Sequence, residues 1–151
     1  MNTASETPSH LGPAVALYLR LALAAAFLSA VADRLGLWGG PGDPGVAWGD
    51  FDNFLAYTSS LVPFVPESGV FGIGWIVTVA EVGLALALLL GYRVRAAAAG
   101  SGLLLLVFAL GMVLGDGPKA PLDASVFTAS AGALLLYVYP RSYLSVDGEG
   151  V

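Results

Sequence analysis

Cysteine is absent from the chain, and its only histidine, His10, lies in the polar N-terminal segment. These absences exclude disulfide exchange, cysteine-ligated iron–sulfur clusters, and haem or zinc sites that depend on histidine. A Ser-His-Asp nucleophile set within the apolar segments is excluded for the same reason. We therefore predict no metal site and no haem, iron–sulfur or zinc cofactor, and any reaction needs a borrowed cofactor or a partner.

Charge is also scarce, because charged residues make up 11% of the 151 residues and hydrophobic residues 57%. A soluble globular domain has roughly 25% charged residues. The net charge is -5 and the one lysine is Lys119, so no basic patch is present to bind nucleic acid. The glycine-rich stretches lack the patterns of a phosphate or dinucleotide loop. The composition indicates a protein whose main partner is the lipid bilayer.

Four apolar segments meet or approach the length needed to cross a hydrocarbon core about 30 Å thick. They cover residues 13–35, 70–91, 96–115 and 122–139, with polar tails at 1–10 and 141–151. No linker divides the chain, so we predict a single domain over 1–151. The expected fold is an all-α membrane protein, an up-down-up-down bundle of four transmembrane helices.

Lysine and arginine positions predict the orientation, because cytoplasmic flanks retain positive charge. One side of the predicted bundle carries four arginines: Arg20, Arg93, Arg95 and Arg141. The other side carries Arg34 and Lys119. This distribution predicts that the N-terminus and the C-terminus are both cytoplasmic.

The long outer connection and the third span contain two local patterns. In the connection, Asp50 is positioned to cap a short amphipathic helix, whose apolar positions from Phe51 to Val62 follow helical spacing. Such a helix either anchors the chain at the membrane surface or covers a substrate site. In the third span, Gly111 and Gly115 form a GxxxG pattern, for which we predict packing inside the bundle in preference to a dimer face.

Glu81 is the one acidic residue inside the second apolar segment, at a depth of roughly 15 Å. An intramembrane acid is expected to be protonated, paired with a cation or exposed to water, and it is a candidate functional residue. Arg20 lies at a depth of roughly 10 Å from the same face and is the predicted partner. The sequence leaves open whether this pair is a proton or ligand site or a structural link between two helices.

A second polar cluster is predicted at the outer rim of the bundle. Its members flank the ends of the apolar segments: Asp33, Arg34, Asp50, Lys119 and Asp123. Two interpretations remain open, ordinary ion pairing at the membrane interface and the polar mouth of a cavity.

The order of these features resembles the DoxX family of small four-helix membrane proteins. Arg20 followed by the apolar run to Phe27 is similar to the family's first helix, and Glu81-Val-Gly83 leading to Leu88-Leu-Leu-Gly91, Arg93 and Arg95 is similar to its second helix and hairpin. Ser101-Gly102 to Phe108 and Met112 is similar to the third helix. The resemblance implies a prokaryotic plasma-membrane protein, linked in some members to quinone-dependent sulfur oxidation or to oxidative-stress complexes.

Three functions remain as hypotheses. The first is a quinone-linked redox subunit that acts with a partner enzyme, in which Glu81 is a proton acceptor or a hydrogen-bond partner to a quinone carbonyl. The second is a non-enzymatic anchor or scaffold for other proteins, in which Arg20 and Glu81 are purely structural. The third, a small-solute or proton carrier, ranks below these because the segments show no broken or inverted-repeat pattern. Substrate, partner and oligomeric state stay open.

Overall fold

The structure, a computed structural model, describes residues 11–146, and every regular element within that range is a helix. In chain order the helices are α1 (Leu11–Arg34), α2 (Phe51–Leu61), α3 (Glu67–Leu90), α4 (Val94–Asp116), α5 (Lys119–Asp123) and α6 (Val126–Val138). The predicted tail at 1–10, including His10, and residues 147–151 lie outside the described residues.

Three helices, α1, α3 and α4, are each long and apolar enough to cross a membrane. This finding suggests a membrane protein and is compatible with a helical bundle. In the bundle, α1 packs against α3 and α4 packs against α6. Alanines lie at fully buried positions on these four helices, at Ala24, Ala85, Ala98 and Ala133. Small side chains at such contacts let helix backbones approach closely.

The connection between α3 and α4 is a short antiparallel hairpin. Helix α3 ends at Gly91, which takes the left-handed conformation with φ of 65°. A Cβ atom there would lie 2.6 Å from a guanidinium nitrogen of Arg20 and 2.7 Å from the Cα of Ser145. Glycine therefore serves both the turn and the close approach of other parts of the chain.

The fourth apolar segment is not one continuous helix, which differs from the predicted span over 122–139. Helix α5 ends at Asp123, and Ser125 has a left-handed φ of 55° that separates α5 from α6. The N–H of Ser125 donates to the carbonyl of Leu122, three residues back, so the α-helical pattern is interrupted there. Helix α6 has 13 residues and is about 20 Å long.

The predicted amphipathic helix in the outer connection is confirmed as α2. The Asp50 side chain accepts a hydrogen bond from the backbone N–H of Asn53, as an N-cap does. Helix α2 crosses the end of the bundle, where a Cβ on Gly74 would lie 2.4 Å from Leu55. The GxxxG face also serves internal packing, because a Cβ on Gly115 would lie 2.6 Å from Leu61 of α2.

Candidate functional site

A buried ion pair links the end of α1 to the middle of α3. Arg34 Nη1 lies 2.5 Å from Glu81 Oε2, and Nη2 lies 3.2 Å from Oε1. Both side chains are 2% exposed. Nη1 also donates to the hydroxyl of Thr78 at 3.0 Å, and that hydroxyl donates to the carbonyl of Gly74. The carboxylate and the guanidinium thus neutralise each other inside the bundle, in the two-point geometry that arginine favours.

The predicted pair between Arg20 and Glu81 is wrong, and the direction of helical side chains explains why. A Cα–Cβ bond in a helix tilts toward the helix N-terminus. The side chain of Arg20 therefore extends toward the start of α1, and that of Glu81 extends toward the start of α3. Because α1 and α3 are antiparallel, these directions diverge, whereas Arg34 extends back along α1 toward Glu81.

Aromatic rings cover the guanidinium of Arg34. Its Cζ atom lies 3.9 Å from the ring centroid of Phe54 and 5.3 Å from that of Trp48. Trp48 and Phe54 contact each other edge to face, with ring centroids 5.3 Å apart. A cation over a desolvated aromatic face gains about 2 kcal/mol. Trp48, which precedes α2, and Phe54, which lies in α2, therefore form an aromatic cover. This cover contacts the guanidinium of the charged pair directly.

Asp33 holds the connection that carries Trp48. Its carboxylate accepts hydrogen bonds from the backbone N–H groups of Ala47, Trp48 and Gly49 at 2.8, 2.8 and 3.0 Å. Gly49 has φ of 75°, and a Cβ there would lie 2.4 Å from the backbone nitrogen of Pro41. The turn thus depends on both the carboxylate and the glycine.

Arg20 binds the far end of the bundle. Its Nε and one Nη2 N–H donate to the carbonyls of Leu88 and Leu89 at 2.9 and 3.2 Å. Its other donors bind the segment after α6, at Ser142 Oγ and the carbonyls of Tyr143 and Leu144. Positive charge at the last carbonyls of α3 also complements the helix dipole. Arg20 therefore links α1, α3 and the C-terminal segment.

The predicted outer-rim residues do not form a single cluster. Arg34 turns into the bundle and Asp33 binds backbone N–H groups, as described above. Asp50 caps α2. Lys119 and Asp123 pair with each other on the surface of α5, where both side chains are mostly exposed.

The site contains one buried donor without a partner. Nε of Arg34 has no hydrogen-bond partner among the described residues, although the side chain is buried. An unsatisfied buried donor is costly, and Nε is the one nitrogen of this guanidinium that has no acceptor in the described part of the chain. The other such atom within residues 11–146 is Ser101 Oγ in α4. The same range holds no group of three or more His, Cys, Asp or Glu residues that could bind a metal ion.

Sequence reasoning found Glu81 and Arg34 but placed them in different sites, and it missed Thr78, Trp48 and Phe54 as their neighbours. A signal for Thr78 existed, because it precedes Glu81 by three residues and so shares its helix face. Comparison with models of known protein families, with curated proteins and with solved structures finds no match to this chain.

Proposed function

We propose that the chain is a DoxX-like protein of the prokaryotic plasma membrane, a quinone-linked redox or oxidative-stress subunit that acts with a partner enzyme. In this proposal the bundle crosses the bilayer four times, with both termini in the cytoplasm. The fourth crossing uses α5 together with α6, because α6 alone is shorter than a hydrocarbon core of about 30 Å.

The distribution of charge supports this orientation. Arg20 binds the last carbonyls of α3, and the connection after α3 carries Arg93 and Arg95. Arg34 lies at the opposite end of α1 and pairs with an acid instead of meeting the headgroups. Arg93, Arg95 and Arg141 thus lie at the same end of the bundle as the start of α1 and the segment after α6, and the positive-inside rule predicts a cytoplasmic face there.

The observation that carries the proposed activity is the unpaired Nε of Arg34 beside the Glu81 carboxylate. A quinone carries carbonyl oxygens on an apolar ring, so the residues here fit such a group. Arg34 would donate a hydrogen bond to a carbonyl oxygen, and the rings of Trp48 and Phe54 would contact the apolar ring. Glu81 would hold the guanidinium in place and is the acid available for proton exchange.

When bound, a quinone supplies an acceptor for two electrons and two protons. The chain itself has no redox centre among the cofactor types considered above, so the electrons come from the partner enzyme. The chain's own residues bind and orient the headgroup, exclude water through the aromatic cover, and provide a carboxyl group at the site.

Binding of a short-chain quinone to the purified full chain tests this proposal. We expect decylubiquinone or menadione to quench tryptophan fluorescence saturably, and Trp48→Phe to remove most of the quenching. Glu81→Gln and Thr78→Val should weaken binding, and Glu67→Gln, an exposed acid on the same helix, serves as the matched control. Absence of saturable binding to folded wild-type protein would refute the proposal.

A second candidate function, a membrane anchor or scaffold, is favoured by the way Arg20 is bound. Its five hydrogen bonds go to carbonyl or hydroxyl oxygens of the chain itself, which is what a purely structural residue requires. This function predicts one consistent partner protein after extraction in mild detergent. It also predicts that Glu81→Gln lowers stability without changing membrane redox activity beyond the loss of folded protein.

A further inference from the structure

One end of the bundle carries arginines and, within residues 11–146, no acidic residue. The acids of the described range lie in mid-α3 or toward the opposite end, at Asp33, Asp43, Asp50, Asp52, Glu67, Glu81, Asp116 and Asp123. The arginine end has Arg93 and Arg95 at the start of α4, and Arg141 after α6, all exposed. The ion pairs of Arg34 with Glu81 and of Lys119 with Asp123 do not involve Arg95 or Arg141.

The buried Arg20 brings Arg141 to this end. Its guanidinium binds Ser142 and the carbonyls of Tyr143 and Leu144, and it also binds the last turn of α3. The segment is fixed further by Ser145 Oγ, which donates to the carbonyl of Gly91 at 2.9 Å. The residues after Arg141 are therefore held against the α3–α4 hairpin that carries the other two arginines.

Aromatic side chains accompany the arginines at the level where the apolar helices end. The guanidinium of Arg95 lies 6.0 Å from the ring centroid of Tyr137 on α6, and that of Arg93 lies 5.8 Å from Tyr92. Both tyrosines are about half exposed, at 48% and 49%. Tyrosine and arginine together at the end of a membrane helix mark the headgroup region.

We propose that this end binds an anionic phospholipid, with Arg95 and Arg141 contacting the headgroup phosphate and Tyr137 contacting the glycerol and upper acyl region. Charge complementarity selects the lipid, since arginine binds phosphate in a planar two-point geometry and, in the proposed membrane orientation, this end of the bundle lies at the bilayer interface. The proposal is independent of quinone binding, because the Arg34 and Glu81 pair lies toward the other end of α1.

Lipid retention by the full chain tests the inference. The full chain also contains Glu6, Asp147 and Glu149 outside the described residues, so their opposing charge is included in the measurement. The chain is reconstituted in vesicles of phosphatidylcholine with and without phosphatidylglycerol, extracted in mild detergent, and analysed by native mass spectrometry. We expect retained phosphatidylglycerol to exceed phosphatidylcholine.

Two variants of exposed arginines and one control variant test whether this end binds the anionic lipid. Arg95→Gln and Arg141→Gln should each reduce the retention of phosphatidylglycerol about fivefold, and the double variant should reduce it further. Lys119→Gln removes an exposed cation at the opposite end and should leave retention unchanged. Equal retention of the two lipids by the wild type, or unchanged retention in the double variant, overturns the inference. Quinone binding measured on the same variants should not change.

Discussion

The buried pair of Arg34 and Glu81 can be tested by a double-mutant cycle. Removing one partner of a buried ion pair costs about 3–5 kcal/mol, because the other charge is left uncompensated. Glu81→Leu leaves a guanidinium that cannot lose its proton, and it also removes the acceptor of two hydrogen bonds. We therefore expect Glu81→Leu to lower the free energy of unfolding by about 3–5 kcal/mol.

The reverse variant tests a different part of the interaction. Arg34→Leu leaves a carboxyl group, which can take up a proton, but it also removes the stacking on Phe54 at 3.9 Å. That stacking is worth about 2 kcal/mol in a desolvated site. The double variant buries two apolar side chains and leaves no charge. Its loss of stability should therefore be smaller than the sum of the two single losses by about 2 kcal/mol or more.

Unfolding in mixed micelles of mild and denaturing detergent, followed by circular dichroism, measures these differences. Glu67→Leu replaces an exposed acid in the first turn of the same helix and should change the free energy of unfolding by less than about 1 kcal/mol. If the single losses add up to the loss of the double variant within about 0.5 kcal/mol, the two side chains are not coupled. The ion pair then does not stabilise the fold.

Three further predictions concern helix α2 and the connection between α1 and α2. Asp33→Ala should remove the acceptor of the three N–H groups at residues 47–49 and make this connection more sensitive to proteolysis, whereas an unchanged cleavage rate would contradict the assigned hydrogen bonds. Gly49→Ala should destabilise the chain by about 1–3 kcal/mol in thermal unfolding, because φ is 75° and the Cβ position is occupied by backbone. Burial, then the hydrogen bond to Asp116 at 2.7 Å, raises the pKa of Tyr57 to about 12. The neutral Tyr57 side chain therefore stabilises the fold below pH 10, and this contribution is lost between about pH 10 and 12. Tyr57→Phe should remove that transition when the titration is followed by tyrosinate absorbance.

The predicted fold was largely recoverable from sequence because hydrophobic length and helix caps are local properties. The apolar segments at 13–35, 70–91 and 96–115 correspond to α1, α3 and α4, and Asp50 caps α2 as predicted. The fourth segment differed, since its hydrophobicity continues through a break in the backbone. The mean hydropathy of a segment is a property of its side chains, so it contains no information on the left-handed φ of Ser125.

The candidate site was harder to predict because it depends on direction as well as depth. Arg20 and Glu81 were matched by their distance from one face, yet their side chains extend in opposite senses along antiparallel helices. The observed partner of Glu81 is Arg34, and the same rule on the direction of helical side chains identifies it. The cover by Trp48 and Phe54 was not, because it depends on how a long connection folds back over the bundle.

The contacts of Arg20 also have a consequence for biosynthesis. Residues 142, 143 and 144 are separated from Arg20 by 122, 123 and 124 positions in the chain. Helix α1 is synthesised before residues 142–144, so the Arg20 guanidinium lacks these partners until the ribosome has translated them. Until then the guanidinium N–H groups that bind these residues need water as their partner. Binding of residues 142–144 to Arg20 is therefore a late step of folding, and truncation before Ser142 should remove three of the five hydrogen bonds of this side chain.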